Sequence, residues 1–226
     1  MKKVLFLSIA AVCLFQLKGL AQKSLVGLTA GITSSNVYGN VGGVDKRLDS
    51  RTGFTVGMVV DAPIGKSRFS FQPAVHYVQK GGYTVNNDID KKADALRFAD
   101  ILLNFVHYTK NPKTQLFFGL GPQIGLNLPS KKVSIEDGKS KEVRSIAFGK
   151  TAASDYRGLD WGANGLAGLR FKNGIFFSVN YTFGLRNVIP VPTGDDKLRN
   201  AVLGFRLGYF FPNSPKEAKA KKKKEK

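Results

Sequence analysis

A chain of 226 residues with a formal net charge of +19 and a single cysteine, Cys13, is long enough for one domain of barrel size. Cys13 lies in the apolar run Val4 to Leu17, which follows Lys2 and Lys3 and precedes the small residues Gly19-Leu20-Ala21. That pattern marks residues 1–21 as a cleaved secretory signal rather than an anchor, since the run falls short of the ~20 residues of a spanning helix. The exported chain then has no cysteine, which excludes disulfides and thiol chemistry. Its charge falls to +16 with the loss of Lys2, Lys3 and Lys18, an excess that in an exported protein suits lipid phosphates, cell wall or an acidic partner rather than nucleic acid.

The exported sequence alternates. The first segment sets Val26, Leu28, Ala30 and Ile32 against Gly27, Thr29, Gly31 and Thr33. The second sets Phe54, Val56, Met58 and Val60 against Thr55, Gly57 and Asp61, and the turn Pro63-Ile64-Gly65-Lys66 returns the chain. The third sets Phe69, Phe71, Val75 and Tyr77 against Ser70, Gln72, Ala74 and His76. In the fourth, Ala99, Ile101, Leu103 and Phe105 oppose Asp100, Leu102 and Asn104. Residues 91–106 also admit an amphipathic helix, since Ala93, Leu96, Ala99 and Leu103 recur at roughly helical spacing.

The turn Lys110-Asn111-Pro112-Lys113 leads into the fifth segment, Gln115 to Leu128, in which Leu116, Phe118, Leu120, Pro122, Ile124, Leu126 and Leu128 share one face. The sixth sets Leu159, Trp161, Ala163, Ala167, Leu169 and Phe171 against Asp160, Gly162, Asn164, Gly168 and Arg170, and Lys172-Asn173-Gly174 makes a hairpin turn. The seventh sets Ile175, Phe177, Val179, Tyr181, Phe183 and Leu185 against Phe176, Ser178, Asn180, Thr182, Gly184 and Arg186. The eighth sets Ala201, Leu203, Phe205, Leu207, Tyr209 and Phe211 against Val202, Gly204, Arg206 and Gly208.

No apolar face carries a charge. A soluble barrel would turn such faces inward and cover its outside with Lys and Glu. Here the second faces are mostly Gly, Ser, Thr, Asn and Gln, which suit a narrow lumen, while the apolar faces suit lipid, where a mid-depth Arg or Lys costs ~2–4 kcal/mol. The mean hydropathy of −0.14 does not argue otherwise, because alternation halves the hydrophobicity of a membrane strand. The fold class read from this is all-β, an eight-stranded antiparallel up-and-down transmembrane β-barrel over residues 22–211. Short turns face the periplasm, and long loops at 34–51, 80–95, 129–157 and 187–199 lie outside the cell. Trp161 near one end, and Tyr209 and Phe211 near the other, fall where aromatic girdles belong. Residues 212–226, with Lys221, Lys222, Lys223 and Lys224, form a basic tail expected to be disordered in the periplasm.

Three stretches carry a family likeness: GFTVGMVVDAPIGKSRFSFQPAVHYVQKGG from Gly53, FFGLGPQIGLNL from Phe117, and VNYTFGLRNV from Val179 with LGFRLGYFF from Leu203. Together they resemble the outer-membrane β-barrel family common in Bacteroidetes, the PorT-like "porin family". The resemblance implies a single eight-stranded barrel in the cell outer membrane and, by analogy with PorT, an accessory role in a secretion machine. Two departures stand out. Asp100-Ile101-Leu102 lacks the Pro that usually follows the acid-Ile pair, and PNSPKEAKAKKKKEK follows Phe211, where the family usually ends on an aromatic residue.

The polar residues of the inner faces are the candidate site. If Lys80 pairs with Leu96, His76 faces Asp100 across the third and fourth strands. With Asp61, Asp160, Arg170, Arg186 and Arg206 they are expected to form an ion network that plugs the lumen. His107 lacks neighbouring ligands, so no metal or cofactor is expected. An enzyme would need an acid/base pair and a nucleophile; Ser154, Asp155 and Asp160 lie near the outer rim with no His beside them. The longest loop, 129–157, has seven Lys or Arg against four Asp or Glu and could meet lipopolysaccharide phosphates or an envelope protein, or simply be solvated. The function expected is non-enzymatic: a plugged outer-membrane barrel serving surface interaction, envelope structure or a secretion machine. The alternative is a small passive pore.

Overall fold

In the computed structural model, residues 24–85, 91–111, 113–136 and 139–212 are described. Ten strands follow in chain order: β1 (Leu25–Val41), β2 (Val44–Arg47), β3 (Asp49–Pro63), β4 (Phe69–Val85), β5 (Lys91–Tyr108), β6 (Thr114–Glu136), β7 (Lys139–Ser145), β8 (Leu159–Phe171), β9 (Ile175–Gly184) and β10 (Lys197–Phe210). Eight of them cross the body in the order β10-β9-β8-β6-β5-β4-β3-β1, every pair antiparallel. The ring closes between β1 and β10, from Gly27 opposite Phe210 to Asn40 opposite Lys197. This is a closed eight-stranded antiparallel all-β barrel, with no helix among the described residues. Closure satisfies every edge, which a sheet immersed in hydrocarbon requires.

The period of two decides which side chains face out. Phe54, Val56 and Met58, Leu116, Phe118 and Leu120, Phe177, Val179 and Tyr181, and Phe205, Leu207 and Tyr209 are exposed, Leu120 at 71%. Their neighbours Thr55, Phe117, Ser178 and Arg206 are buried. Residues 91–106 belong to β5, paired along both edges, so the helical alternative does not hold. β-strand pairing satisfies each backbone group of that segment on two sides, and the alternation of Leu96, Phe98, Asp100 and Leu102 turns all four inward.

The loop end differs from the sequence expectation. Much of what reads as loop is strand: β1 runs on to Val41 and β2 folds back on it, β4 and β5 pair as far as Val85 opposite Lys91, and β6 reaches Glu136 with β7 returning beside it. Continuing the ladder satisfies the backbone groups that leave the apolar belt. The alternation fades there because the outward face has left the lipid and the buried inner face carries small or polar residues such as Ala93, Ala95, Ser130 and Ser134, so the two faces contrast little in the sequence.

The interior also departs from the expected small and polar lining. Toward the short-turn end, Val59, Ala74, Leu102, Val106, Tyr108, Phe117, Leu166, Phe176 and Phe210 make an apolar core inside the ring. The Phe176 and Phe210 rings stack at 4.5 Å, and Phe117 meets Phe176 and Tyr108 at 6.4 and 5.6 Å. Glycines on facing strands make the space. A Cβ on Gly208 would lie 2.2 Å from the Phe176 ring, and one on Gly168 would lie 2.4 Å from that of Phe117.

Candidate functional site

The lumen is filled at successive levels. Near the loop end, β4 presents His76, Val78 and Lys80 inward in turn. Lys80 is 1% exposed, and its ammonium lies 2.9 Å from Asp100 Oδ1, 3.4 Å from Asp160 Oδ2 and 4.6 Å from the centre of the Phe98 ring. Asn200 Nδ2 donates to the same Asp160 oxygen at 3.0 Å. One cation thus holds two carboxylates from strands on either side of β6. Burying an ion this deeply is costly unless its partners are fixed by further bonds, and here β4, β5, β8 and β10 each supply a member. Lys80, assigned from sequence to the start of a loop, is an interior residue. The signal was available: it shares parity with His76 and Val78 and lies opposite Leu96, four pairs on from His76–Asp100.

At mid-depth the contacts are neutral or singly charged. His76 is the cross-strand partner of Asp100, as the Lys80–Leu96 pairing requires, yet its Nε2 lies 2.8 Å from Thr29 Oγ1 while Asp100 turns to Lys80. Asn164 donates to Asn104 at 2.9 Å and accepts from Thr182 at 3.1 Å. Arg206 donates to Asn180 Oδ1 at 3.2 Å. A cavity of about 30 Å³ between Thr29, His76, Asn104, Asn180 and Arg206 has about the room of a single water molecule.

At the turn end, Arg170 Nη1 donates to Asp61 Oδ2 at 2.8 Å, and its guanidinium lies 4.9 and 5.5 Å from the Phe210 and Tyr108 ring centres. Gln72 Nε2 donates to Asp61 Oδ1 at 3.0 Å and lies 2.6 Å from the Tyr108 hydroxyl. This ion pair rests on the aromatic floor described above. Arg186 lies beyond the end of β9, partly exposed, and joins none of the other six residues expected in the network. Asp61 and Lys80 therefore meet partners 109 and 80 positions later, while Arg186 stays apart.

Above Lys80 the loop end is capped. Ile146 packs with Leu96 and Phe98, and Phe148 and Tyr156 cover them, the Phe98 and Phe148 rings meeting edge to face at 6.1 Å. The Tyr156 hydroxyl donates to Asp94 Oδ2 at 2.6 Å, and burial with that carboxylate pushes the phenol up from its ordinary range. Asp155 accepts both Arg144 nitrogens at 2.7 and 2.5 Å and the Ala147 N–H at 3.0 Å, with Lys132 Nζ at 3.2 Å. The Arg144 hydrogen bond, chiefly, holds the Asp155 carboxyl well below the usual carboxylate range. Arg157 Nε donates to Ile189 O at 2.9 Å and ties this cap to the last loop. The loop that composition reads as either a docking surface or a solvated segment contains a small apolar core that composition did not show.

The chemistry open to these groups is limited by their commitments. Ser154 is bonded to Thr151 at 3.1 Å, Asp155 to Arg144, and Asp160 to Lys80 and Asn200, so the three do not meet as a catalytic set. His107 faces outward between the Phe69 and Phe118 rings at 4.6 and 5.3 Å. Among the described residues no three His, Cys, Asp or Glu side chains gather as metal ligands. Trp161 is exposed on the outer surface near the loop end, while Tyr209 and Phe211 meet edge to face at 5.4 Å at the turn end. The signal segment and Lys221 to Lys224 lie outside the described residues.

No curated protein matches this sequence. Similar solved structures include the attachment invasion locus protein Ail of Yersinia pestis, at 14% identity over 84% of this chain and all of that one, with a TM-score of 0.42. Neisserial surface protein A gives 13% identity over 82% of this chain and 97% of that one, at 0.41. The outer membrane enzyme PagL gives 15% identity over 80% and 99%, at 0.40. A family model, described as the outer membrane protein beta-barrel domain, matches residues 20–190. The closed ring, its apolar outer belt and that match make this chain a member of the outer membrane protein beta-barrel family, and place it in the outer membrane.

Proposed function

We propose that this protein is a closed-lumen, non-enzymatic outer-membrane barrel that works through its surface, as a site of interaction or a structural element of the envelope. The observation that carries the reading is the filling of the lumen: an aromatic floor under Asp61–Arg170, the Lys80–Asp100–Asp160 level above it, and the cap of Ile146, Phe148 and Tyr156. An eight-stranded ring is only just wide enough for its own side chains, and these residues use that width. What remains available to a partner is the extension of β1–β2 and β4–β7 beyond the apolar belt. On this reading the extension faces the cell exterior and the short turns face the periplasm, with membrane lipid and lipopolysaccharide as its surroundings. The PorT-like sequence motifs support a more specific role as accessory to a secretion machine.

Planar-bilayer recording of the refolded protein tests the closed lumen. The expected trace is flat, and steady single-channel steps at neutral pH would replace this reading with a diffusion pore. Cross-linking in the native envelope tests the surface role, with capture of a defined envelope protein through the β6–β7 extension as the expected result.

A further inference from the structure

Among the described residues the three carboxylates of the lumen are all engaged, Asp61 by Arg170, and Asp100 and Asp160 by Lys80. Arg206 pairs with none of them. Its Nη1 donates to Asn180 Oδ1 at 3.2 Å, its Nε has no partner, and the residue is 9% exposed. Asp100 acts on it only through space and is already held by Lys80. A buried cation without a contacting counter-charge is costly, which calls for a further partner at this level.

Arg206 lines the mid-depth cavity of about 30 Å³, and so does His76, whose Nδ1 is likewise buried without a partner. The Thr29 hydroxyl has its partner in His76 Nε2 at 2.8 Å, so the hydroxyl hydrogen goes to that nitrogen and the ring hydrogen sits on Nδ1. The buried atoms without a partner on this wall, Arg206 Nε and His76 Nδ1, are then both donors. A water placed there accepts both and still has two hydrogens of its own to place. A monatomic anion needs donors alone. Val59, Leu102, Phe117, Leu166 and Phe176 supply apolar walls, which suit a weakly hydrated ion, and the cavity is too small for phosphate or sulfate.

We infer that this cavity binds a single chloride ion, held by the guanidinium of Arg206 and the Nδ1–H of His76. The ion gives the middle of the lumen its own charge pair, between Asp61–Arg170 at the turn end and Lys80–Asp100–Asp160 at the loop end. The site does not depend on which partner the loop end meets.

Crystals of the full refolded chain grown in sodium bromide read the site by anomalous scattering at the bromine edge. A single peak inside the lumen is expected, in the cavity beside Arg206. Two variants should lose it. Arg206→Met removes the cation, and Asn104→Asp supplies a carboxylate from the cavity wall while keeping the oxygen that accepts from Asn164. In solution the wild type should unfold at a higher urea concentration in chloride than in gluconate of equal ionic strength, and both variants should lose that shift. Lys66→Gln, which removes an exposed cation from a short turn, should keep it. Heat-modifiable migration on gels confirms that each variant is folded, and Asn104→Asp reads the site alone should Arg206→Met fail to fold. A cavity that holds only water in bromide, a peak that survives in either folded variant, or wild-type unfolding indifferent to the anion overturns the site.

Discussion

The two ends of the lumen solve the same problem in different ways. At the turn end a one-to-one pair, Asp61 with Arg170, lies on aromatic rings and its cation reaches solvent. At the loop end one fully buried cation, Lys80, answers two carboxylates with help from Asn200. The first pair can lose Asp61 and let Arg170 turn toward water. The second cannot, because every member is enclosed by the ring and roofed by the cap. Burial, more than the count of bonds, sets how much each cluster matters.

The sharpest test of that difference is Lys80→Met. It leaves Asp100 and Asp160 buried with no cation, and should cost about 3–5 kcal/mol in urea unfolding from micelles. Adding Asp100→Asn and Asp160→Asn should recover most of the loss; if Lys80→Met alone unfolds like the wild type, the buried cluster is not the constraint described here. At the other end, Gly208→Ala places a methyl 2.2 Å from the Phe176 ring and should cost about 1–3 kcal/mol by overpacking. Asp61→Asn should fall near the lower part of that range, about 1–2 kcal/mol, since Arg170 can turn to solvent. A loss as large as that of Lys80→Met would erase the distinction between the ends.

Acid acts on the cap. The native Asp155 carboxyl titrates below its unfolded value, so its contribution to docking the cap is complete above about pH 4 and is lost as the pH falls from there toward the lower native value. Proteolysis beside Lys150 should therefore accelerate on acidification, and Asp155→Asn should reproduce that acceleration at neutral pH. Weakest of all is the exposed Lys131–Glu142 pair on β6 and β7, where Lys131→Ala should change stability by about 0–1 kcal/mol.

The parts of this architecture that were legible in the sequence are those where two faces meet two different solvents. Leu116 to Leu126 reads as a strand because lipid and lumen demand opposite side chains, and the His76–Asp100 register follows from a single hairpin assumption. Beyond the apolar belt the outward face meets no lipid and the buried inner face is small or polar, as at Ala93, Ala95 and Ser134, so the contrast is lost and the outer halves of β4, β5 and β6 read as loops. Lys80 was missed although it is buried: a lysine beside Gly81-Gly82 looks like the edge of a loop until Asp100 and Asp160 are placed around it. The cap was hidden for another reason. Ile146, Phe148 and Tyr156 lie in a charged segment with no period, and only their docking on Leu96 and Phe98, some fifty residues earlier, makes them a core. Arg186 shows the converse, since its parity on the seventh segment points inward but the strand stops at Gly184.

The 23 residues of β6 run unbroken from the turn after β5 to the hairpin with β7. At about 3.3 Å per residue such a strand is on the order of 75 Å long. It is hydrogen-bonded to β5 on one side over most of that length, and to β8 and then β7 on the other. A pull on its far tip, directed along the strand, loads many hydrogen bonds at once in shear rather than peeling them one by one. The same strand that lines the lumen is thus a mechanical mast, able to carry a tensile load from the loop end into the apolar belt.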